Sequence, residues 1–456
     1  MDDDYGIVEY FYEHSGHRCG YCKSESTSLS CGMWAHRLTA GIYDDLLNRG
    51  WRRSGEYCYK PMMKTTCCRQ YPIKLDVAEF QLTKSQKKLL KRVHKFLATG
   101  KRSEGGKPDE KEDDCSEAAG DRVMEMPDFS DKKSNVQLDL ETCSLKTPGD
   151  TATSGIGNEE VVVPEPMDQH SEKPAMSHKE ATASNAEKTA HVPKKGLGAD
   201  PNKPKCRKAR DIRRERKLLK MSNAGKDLSP GSEKALHSSK KSKNEAKSLE
   251  DFLFEPLPQD AAHKLEYDPK GPYSLGSFHQ QYWLDGRLIA VGVIDVLPTC
   301  LSSVYLYYDP DYSFLSLGTY ASLREIAYAR QLHKMCPSIR EYCMGFYIHT
   351  CPKMRYKGNF SPSRLLCPET YTWHPIEKCK PLLDVNKYSR FEEDQTKGDE
   401  NAVQDLNEVM ILYNRTVITY KKYCRLKGNA DKAEVREYAN LVGKKCIKRL
   451  FLYRKS

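Results

Sequence analysis

Residues 287–308 read RLIAVGVIDVLPTCLSSVYLYY. The first half, Arg287–Leu297, is apolar and β-branched, which is the composition of a buried strand. Pro298 stops it, because proline has no N–H to give to a ladder. Leu301–Tyr308 follows at hairpin distance and ends at Asp309-Pro310. Thr319–Lys334 is then amphipathic, with Thr319 placed as its cap, and Met344–His349 is another apolar strand. The order β-β-α-β predicts an α+β domain on a mixed sheet. Further on, Leu406, Val409, Met410 and Tyr413 fall on one helical face, so residues 401–456 read as a basic helical region.

Upstream of this region the aromatic residues disappear. Positions 103–250 hold one aromatic, Phe129, whereas the other 42 lie in the remaining 308 residues. The stretch is rich in Ser, Lys, Glu, Gly and Pro and cannot bury enough apolar surface to offset the entropy of ordering. Residues 101–250 are therefore expected to be a disordered, charged linker between a cysteine-rich module at 1–100 and a domain at 251–400. Its run Lys203–Lys220, KPKCRKARDIRRERKLLK, suits a nuclear localisation signal or nonspecific RNA contact. In the N-terminal module, Ala40–Asn48 predicts a short helix ended by Gly50, and Arg53–Tyr59 predicts a strand. Thr83–Leu97 predicts a longer helix with a capping start at TKSQ.

The 456-residue chain carries a net charge of +11, with 30% charged and 38% apolar residues. No run of roughly 18 apolar residues is present, which excludes a membrane helix. The acidic start MDDDYG and the lack of an apolar h-region argue against a secretory signal. Seventeen cysteines, an odd number, point to reduced thiols and metal ligation, and so to a cytoplasmic or nuclear protein. There is no P-loop, G-x-S-x-G, H-E-x-x-H or kinase motif set.

Two constellations could carry chemistry. Cys19-Gly-Tyr-Cys22 points two sulfurs at one centre, and Cys67-Cys68 offers a second pair, as a tetrahedral metal site needs. Adjacent side chains in a strand face opposite ways, so the second pair requires a turn near Thr66–Arg69. Cys31, Cys58, His14, His17 and His36 compete as ligands, and buried cysteines acting as small hydrophobes are the plain alternative. The other constellation is CPKMRYKGNF, where Lys353, Arg355 and Lys357 interleave with Tyr356 and Phe360. That pattern suits a phosphate backbone with a base to stack on, or simply a solvated loop.

At these residues the sequence resembles the eukaryotic arginyl-tRNA–protein transferases. The strings that carry the resemblance are CGYCKSES, GMWAH, GWRRSG and the CC pair in the N-terminal part. Downstream they are GSFHQQYWLDGRLIAVGVIDVLP, SSVYLYYDPDYSFLSLGTYASLREIA, GFYIHTCPKMRYKG and LLCPETYTW. The resemblance implies transfer of arginine from Arg-tRNA to the α-amine of proteins beginning with Asp or Glu (or oxidised Cys), marking them for ubiquitin-dependent degradation. It implies a GNAT-like acyltransferase fold for the C-terminal domain, and a zinc ion or iron–sulfur cluster on Cys19, Cys22, Cys67 and Cys68.

Within that family reading, Asp295 becomes the first candidate catalytic residue, orienting the amine or the arginyl guanidinium. His279, Gln280 and Tyr282 offer polar groups near the cleft. Arg52 and Arg53 are placed to pair with an acidic substrate side chain, since a guanidinium fork matches a carboxylate. Lys353, Arg355 and Lys357 would contact the tRNA acceptor end. One departure stands out: Lys264-Leu265-Glu266 reaches Gly276 in a few residues, where the family has several dozen. The shortened 264–276 junction predicts an incomplete sheet edge. It also keeps open, as the rival reading, a non-catalytic, metal-containing RNA- or protein-binding adaptor or an inactive splice form of the same family.

Overall fold

A computed structural model describes residues 4–102, 247–267 and 273–455. Both the predicted linker, apart from its ends, and the basic run 203–220 lie outside the described residues. In chain order the N-terminal segment supplies β1 (Gly6–Phe11), β2 (Ser30–Arg37), α1 (Ala40–Leu47), β3 (Arg52–Ser54), β4 (Tyr57–Pro61), β5 (Tyr71–Asp76) and α2 (Lys84–Thr99). Next come α3 (Leu249–Leu253), β6 (Leu265–Glu266), β7 (Gly276–Leu284), β8 (Arg287–Val296), β9 (Cys300–Tyr308), α4 (Leu317–Met335) and β10 (Glu341–Tyr347). The chain continues through α5 (Pro352–Arg355), β11 (Ser363–Leu366), β12 (Trp373–Pro375), α6 (Ile376–Val385), β13 (Met410–Tyr413), β14 (Thr416–Thr419), α7 (Tyr420–Lys427), α8 (Lys432–Val442) and β15 (Leu450–Arg454).

These strands build two mixed sheets, so the α+β expectation holds. One has the order β14-β13-β15-β1-β2-β4-β3, the other β12-β11-β5-β10-β9-β8-β7-β6. The expected β-β-α-β unit is β8-β9-α4-β10, close to its predicted limits. Its helix starts earlier than expected. Ser316, at φ 53° and ψ 53°, precedes the first turn without a side-chain cap, so Thr319 lies inside the helix. The Ser316 hydroxyl instead accepts from Arg92 Nη2 on α2 at 2.8 Å. α2 has the predicted capping box: the Thr83 hydroxyl accepts from Gln86 N, and Gln86 Oε1 accepts from Thr83 N.

Sheet membership cuts across the predicted domain limits. β5, from the cysteine-rich segment, lies between β10 and β11 in the second sheet, and β15 runs parallel to β1 in the first. The reason lies in Tyr71–Asp76, YPIKLD, in which all six residues are buried. A strand buried on both faces sits inside a sheet, and the two edges of this one are taken by β10 and β11, both from beyond residue 340. Its two charges are paired, Lys74 with Glu341 and Asp76 with Arg340. Likewise 401–456 is not all helical: the Met410–Tyr413 run pairs with Thr416–Thr419 across a two-residue turn. Asn414 and Arg415 take φ of 48° and 60° there, the left-handed pair that matches hairpin twist. Arg53–Tyr59 is a hairpin, β3–β4, rather than one strand.

The core of the second sheet forms where α2, α3 and α4 cover β5 and β7–β10; Leu323, Ile326 and Tyr342 are fully enclosed. The first sheet packs α1 and α8 against Met33, Trp51, Ile411 and Leu450. Leu297, Cys300 and Cys343 join this second core from the other sheet, so one apolar interior spans the junction.

Candidate active site and metal centre

The cysteine quartet assembles. The sulfurs of Cys19, Cys22, Cys67 and Cys68 all lie within 4.8 Å of one another, with Cys22 and Cys67 3.5 Å apart. A tight turn holds the first pair: Lys23 N donates to Cys19 O at 3.0 Å and Cys19 N to Ser24 O at 2.9 Å. For the second pair the chain bends after β4, where Thr65 N and Thr66 N both donate to Met62 O. Cys67 N then donates to Thr27 O at 3.0 Å. The bend supplies what an extended strand forbids, two neighbouring sulfurs facing one centre. Around a tetrahedral ion with metal–sulfur bonds of about 2.3 Å, sulfurs stand roughly 3.8 Å apart. The quartet fits that spacing. Burial pushes the Cys19 and Cys68 thiols up, whereas the Ser24 hydroxyl and amide bring exposed Cys22 down to about 6. A bound cation would offset the charge that burial disfavours.

The competing ligands go elsewhere. His14 Nε2 lies 2.5 Å from Glu437 Oε1, with Cys31 nearby, and His36 faces Glu9. Cys58 is sealed in the core beneath the first sheet, and His17 makes a backbone bridge with Ser28. Packed on the quartet are Ile348, Cys351 and Met354, from the loop that follows β10. The cysteine cluster therefore props the CPKMRYK segment.

The second site lies on the open face of β7–β9. Asp295 is 1% exposed, and its carboxylate holds Arg53 through two contacts, Nη2–Oδ1 at 2.5 Å and Nε–Oδ2 at 3.2 Å. Ser277, opposite on β7, donates to Asp295 Oδ1 at 2.7 Å and also meets Arg53 Nη2. Burial works against the Arg53 charge, but the hydrogen bond and charge of Asp295 outweigh it and raise its pKa. Asp295 is thus already a guanidinium receptor, and the guanidinium it holds is the chain's own. Strand alternation continues this face through His279 and Gln281 on β7, Val291 and Val293 on β8, and Tyr305 and Tyr307 on β9. The two tyrosines are about half exposed, with ring centroids 6.3 Å apart.

Several predicted residues sit differently. Gln280 and Tyr282 point to the opposite, helix-covered face, where the Tyr282 hydroxyl donates to Gln280 Oε1 at 2.7 Å; only His279 shares the Asp295 face. Arg52 is buried and donates to the carbonyls of Leu47, Trp51 and Gly345, so it is not free for a substrate carboxylate. Arg53 is likewise committed, to Asp295. Lys353 and Arg355 are exposed on α5, as an RNA contact requires. Lys357 turns inward, and its ammonium donates to Met344 O at 2.8 Å.

That inward turn exposes a feature the motifs did not announce. β9 and β10 pair in parallel only over Cys300–Ser302 and Glu341–Cys343. Beyond this point no further β9–β10 pairing occurs among the described residues, and Lys357 and Arg52 donate to the carbonyls of Met344 and Gly345. Beneath the opening lies Glu325 of α4, 1% exposed, whose Oε2 accepts from the Tyr342 hydroxyl at 2.6 Å. Burial raises its pKa to about 7, only partly opposed by the Tyr342 hydrogen bond. Burial, with Arg52 adding to it, lowers Lys357 to about 8. One sequence signal was available: Gly292 inside β8, because a Cβ there would lie 3.2 Å from Glu325 Oε1.

Known proteins share this sequence. Residues 17–88 match the family model described as Arginine-tRNA-protein transferase, N terminus, and residues 232–367 the one for its C terminus. Arginyl-tRNA–protein transferase 1 of Drosophila melanogaster is 40% identical over 502 aligned residues, covering 97% of this chain and 98% of its own. Arginyl-tRNA–protein transferase 2 of Arabidopsis thaliana is 33% identical, covering 81% and 75%. A stretch of 86 residues, 19% of this chain, is 44% identical to the aspartate/glutamate leucyltransferase of Stutzerimonas stutzeri, covering 34% of that protein.

Proposed function

The chain belongs to the arginine-tRNA-protein transferase family and is an aminoacyl-tRNA transferase, and from that premise we propose that its acceptors are proteins beginning with Asp, Glu or oxidised Cys. The arginine added to their α-amine would mark them for ubiquitin-dependent degradation, in the cytoplasm and nucleus. An acidic acceptor is supported by the name of the leucyltransferase that shares 86 residues with this chain.

The chemistry asks little of the protein. An aminoacyl ester is already activated, so the site must align it with a neutral amine and stabilise a developing oxyanion. An α-amine with a pKa of about 7.7–8.0 is in part neutral at pH 7, and no strong base is required. The single observation that carries the reading is the shared face of β7–β9. There the Asp295–Arg53–Ser277 cluster adjoins His279 and two exposed tyrosines. Tyr305 and Tyr307 offer ring faces to the unpaired 3′ nucleotides of tRNA, and Asp295 offers a carboxylate to the arginyl guanidinium when Arg53 releases it. Lys353 and Arg355 lie ready for acceptor-stem phosphates. Glu325 and Lys357 titrate near neutrality at the β9–β10 opening, and they would take up and return the proton shed by the amine. The GNAT-like assignment of β8–β10 with α4 belongs to the same reading.

The four cysteines would hold the metal, and their spacing suits a single tetrahedral ion such as zinc better than an iron–sulfur cluster, whose ligands stand further apart. Bound there, the ion would crosslink the two N-terminal cysteine turns. At the short junction, β6 pairs only Leu265 and Glu266 with β7, so most of the β7 edge has no partner strand among the described residues. This observation favours the adaptor reading. Transfer of labelled arginine from charged tRNA to an Asp-starting peptide, against a Val-starting one, decides between them. Selective labelling of the Asp peptide supports the proposal, equal labelling removes the acceptor rule, and no labelling by folded protein leaves the adaptor.

A further inference from the structure

Besides the run Lys203–Lys220, a second excess of positive charge lies in residues 401–456. Residues 401–456 contain 13 Lys+Arg and 5 Asp+Glu, a net +8 of the chain's +11. The five carboxylates are spent locally. Glu408 pairs with Lys448, Asp431 and Glu434 pair with Arg454, Glu437 meets His14 and Tyr10, and Asp405 caps Asn407 N. Between Tyr413 and Ala430 there are five cations, Arg415, Lys421, Lys422, Arg425 and Lys427, and no acid. All but Arg415 lie on α7. Lys427 rests 5.2 Å from the Tyr413 ring, while Lys421, Lys422 and Arg425 are exposed and have no ion-pair partner among the described residues. Leu426 is exposed between them.

We propose that this surface, α7 with the Asn414–Arg415 turn, is a docking site for the sugar–phosphate backbone of tRNA, away from the end that carries the amino acid. The inference rests on the arginyl-transfer reading for its ligand and goes beyond it in naming a second contact. Two observations select RNA over an acidic acceptor protein. First, unpaired cations without interspersed acids match a continuous polyanion. Second, α7 follows β14, one edge strand of the first sheet, whereas Arg53 stands on β3, the opposite edge. Six strand spacings of about 4.8 Å separate those edges by roughly 29 Å. A peptide held by its first residues at Asp295 has no need to reach so far, but a tRNA whose 3′ end lies there must continue somewhere across the protein.

The test uses the full chain and a fluorescent, uncharged tRNA transcript that accepts arginine. Lys421→Gln, Lys422→Gln and Arg425→Gln together should raise Kd at least about tenfold near 0.1 M salt. They should also flatten the dependence of log K on log salt by about one per lost contact. In the transfer assay KM for Arg-tRNA should rise with kcat kept. Lys421→Arg with Lys422→Arg should retain wild-type binding, separating charge from folding. Unchanged Kd and salt slope in the Gln variant overturn the inference, as does weaker binding of an acidic peptide or of anionic vesicles with tRNA binding intact. If the wild-type protein transfers no arginine, the functional reading fails, while the tRNA titration still decides this one.

Discussion

Replacing Glu325 with Gln tests the reading of the β9–β10 opening. Gln keeps the shape and an oxygen for the Tyr342 hydroxyl, and it mimics the protonated acid at every pH. In the folded chain burial holds the carboxyl at about 7, against a reference of 4.5. A raised carboxyl pKa stabilises the fold fully below 4.5, and that stability is lost as pH rises through 7. At pH 8.5 the wild type has therefore lost about 3 kcal/mol, against about 1 kcal/mol at pH 5.5. The stability gap between Glu325→Gln and wild type should thus widen in the variant's favour by about 2 kcal/mol from pH 5.5 to 8.5. Urea denaturation at both pH values measures it; groups remote from Glu325 subtract out of the comparison, and Lys357→Gln in both backgrounds removes the neighbour that is coupled to it. A gap that stays the same at both pH values would falsify the assignment of a neutral-range carboxyl at this position.

Cys67→Ser with Cys68→Ser should remove the metal from the purified protein and lower Tm, read by elemental analysis and thermal melting; full metal content in the double variant refutes the quartet. Arg53→Ala leaves the buried Asp295 carboxylate without its counter-charge and should cost about 3 kcal/mol. Arg53→Ala with Asp295→Ala should cost less than the sum of the two single changes, and strict additivity in urea melts would show the pair to be uncoupled. Tyr305→Ala with Tyr307→Ala should raise KM for Arg-tRNA about tenfold or more with stability kept, since a stacked base contributes about 1–3 kcal/mol. An unchanged KM removes the tyrosines from the RNA surface.

The local elements were readable because their signals are local. A β-branched run ended by proline marked β8, a capping box marked α2, and a C-x-x-C turn with a second cysteine pair marked the four-cysteine cluster. What the sequence hid depends on partners distant in the chain. YPIKLDV looks like a poor core strand because of Lys74 and Asp76, yet Glu341 and Arg340 neutralise both. GWRRSG displays two adjacent arginines and conceals that strand alternation sends Arg52 into carbonyls and Arg53 onto Asp295. Of the candidates His279, Gln280 and Tyr282, period-two geometry leaves only His279 on the Asp295 face. Glu325 sits in a helix that reads as ordinary, and its altered proton affinity arises only when β8, β10 and Lys357 close around it.

Those long-range partners also explain why a cysteine-rich segment should be built into a transferase at all. The loop after β10 has two attachments. Ile348, Cys351 and Met354 pack against the four cysteines, and three residues beyond Met354, Lys357 caps the Met344 carbonyl above Glu325. The N-terminal segment adds a second brace, because Arg52 caps Gly345 and Arg53 holds Asp295. Removing the metal would free one face of that loop and should act first on the position of Lys357, leaving the β7–β9 ladder intact. The pH profile of transfer, more than the melting temperature alone, is where that linkage would register. A loop held in place by the fold alone would keep the same profile with and without metal.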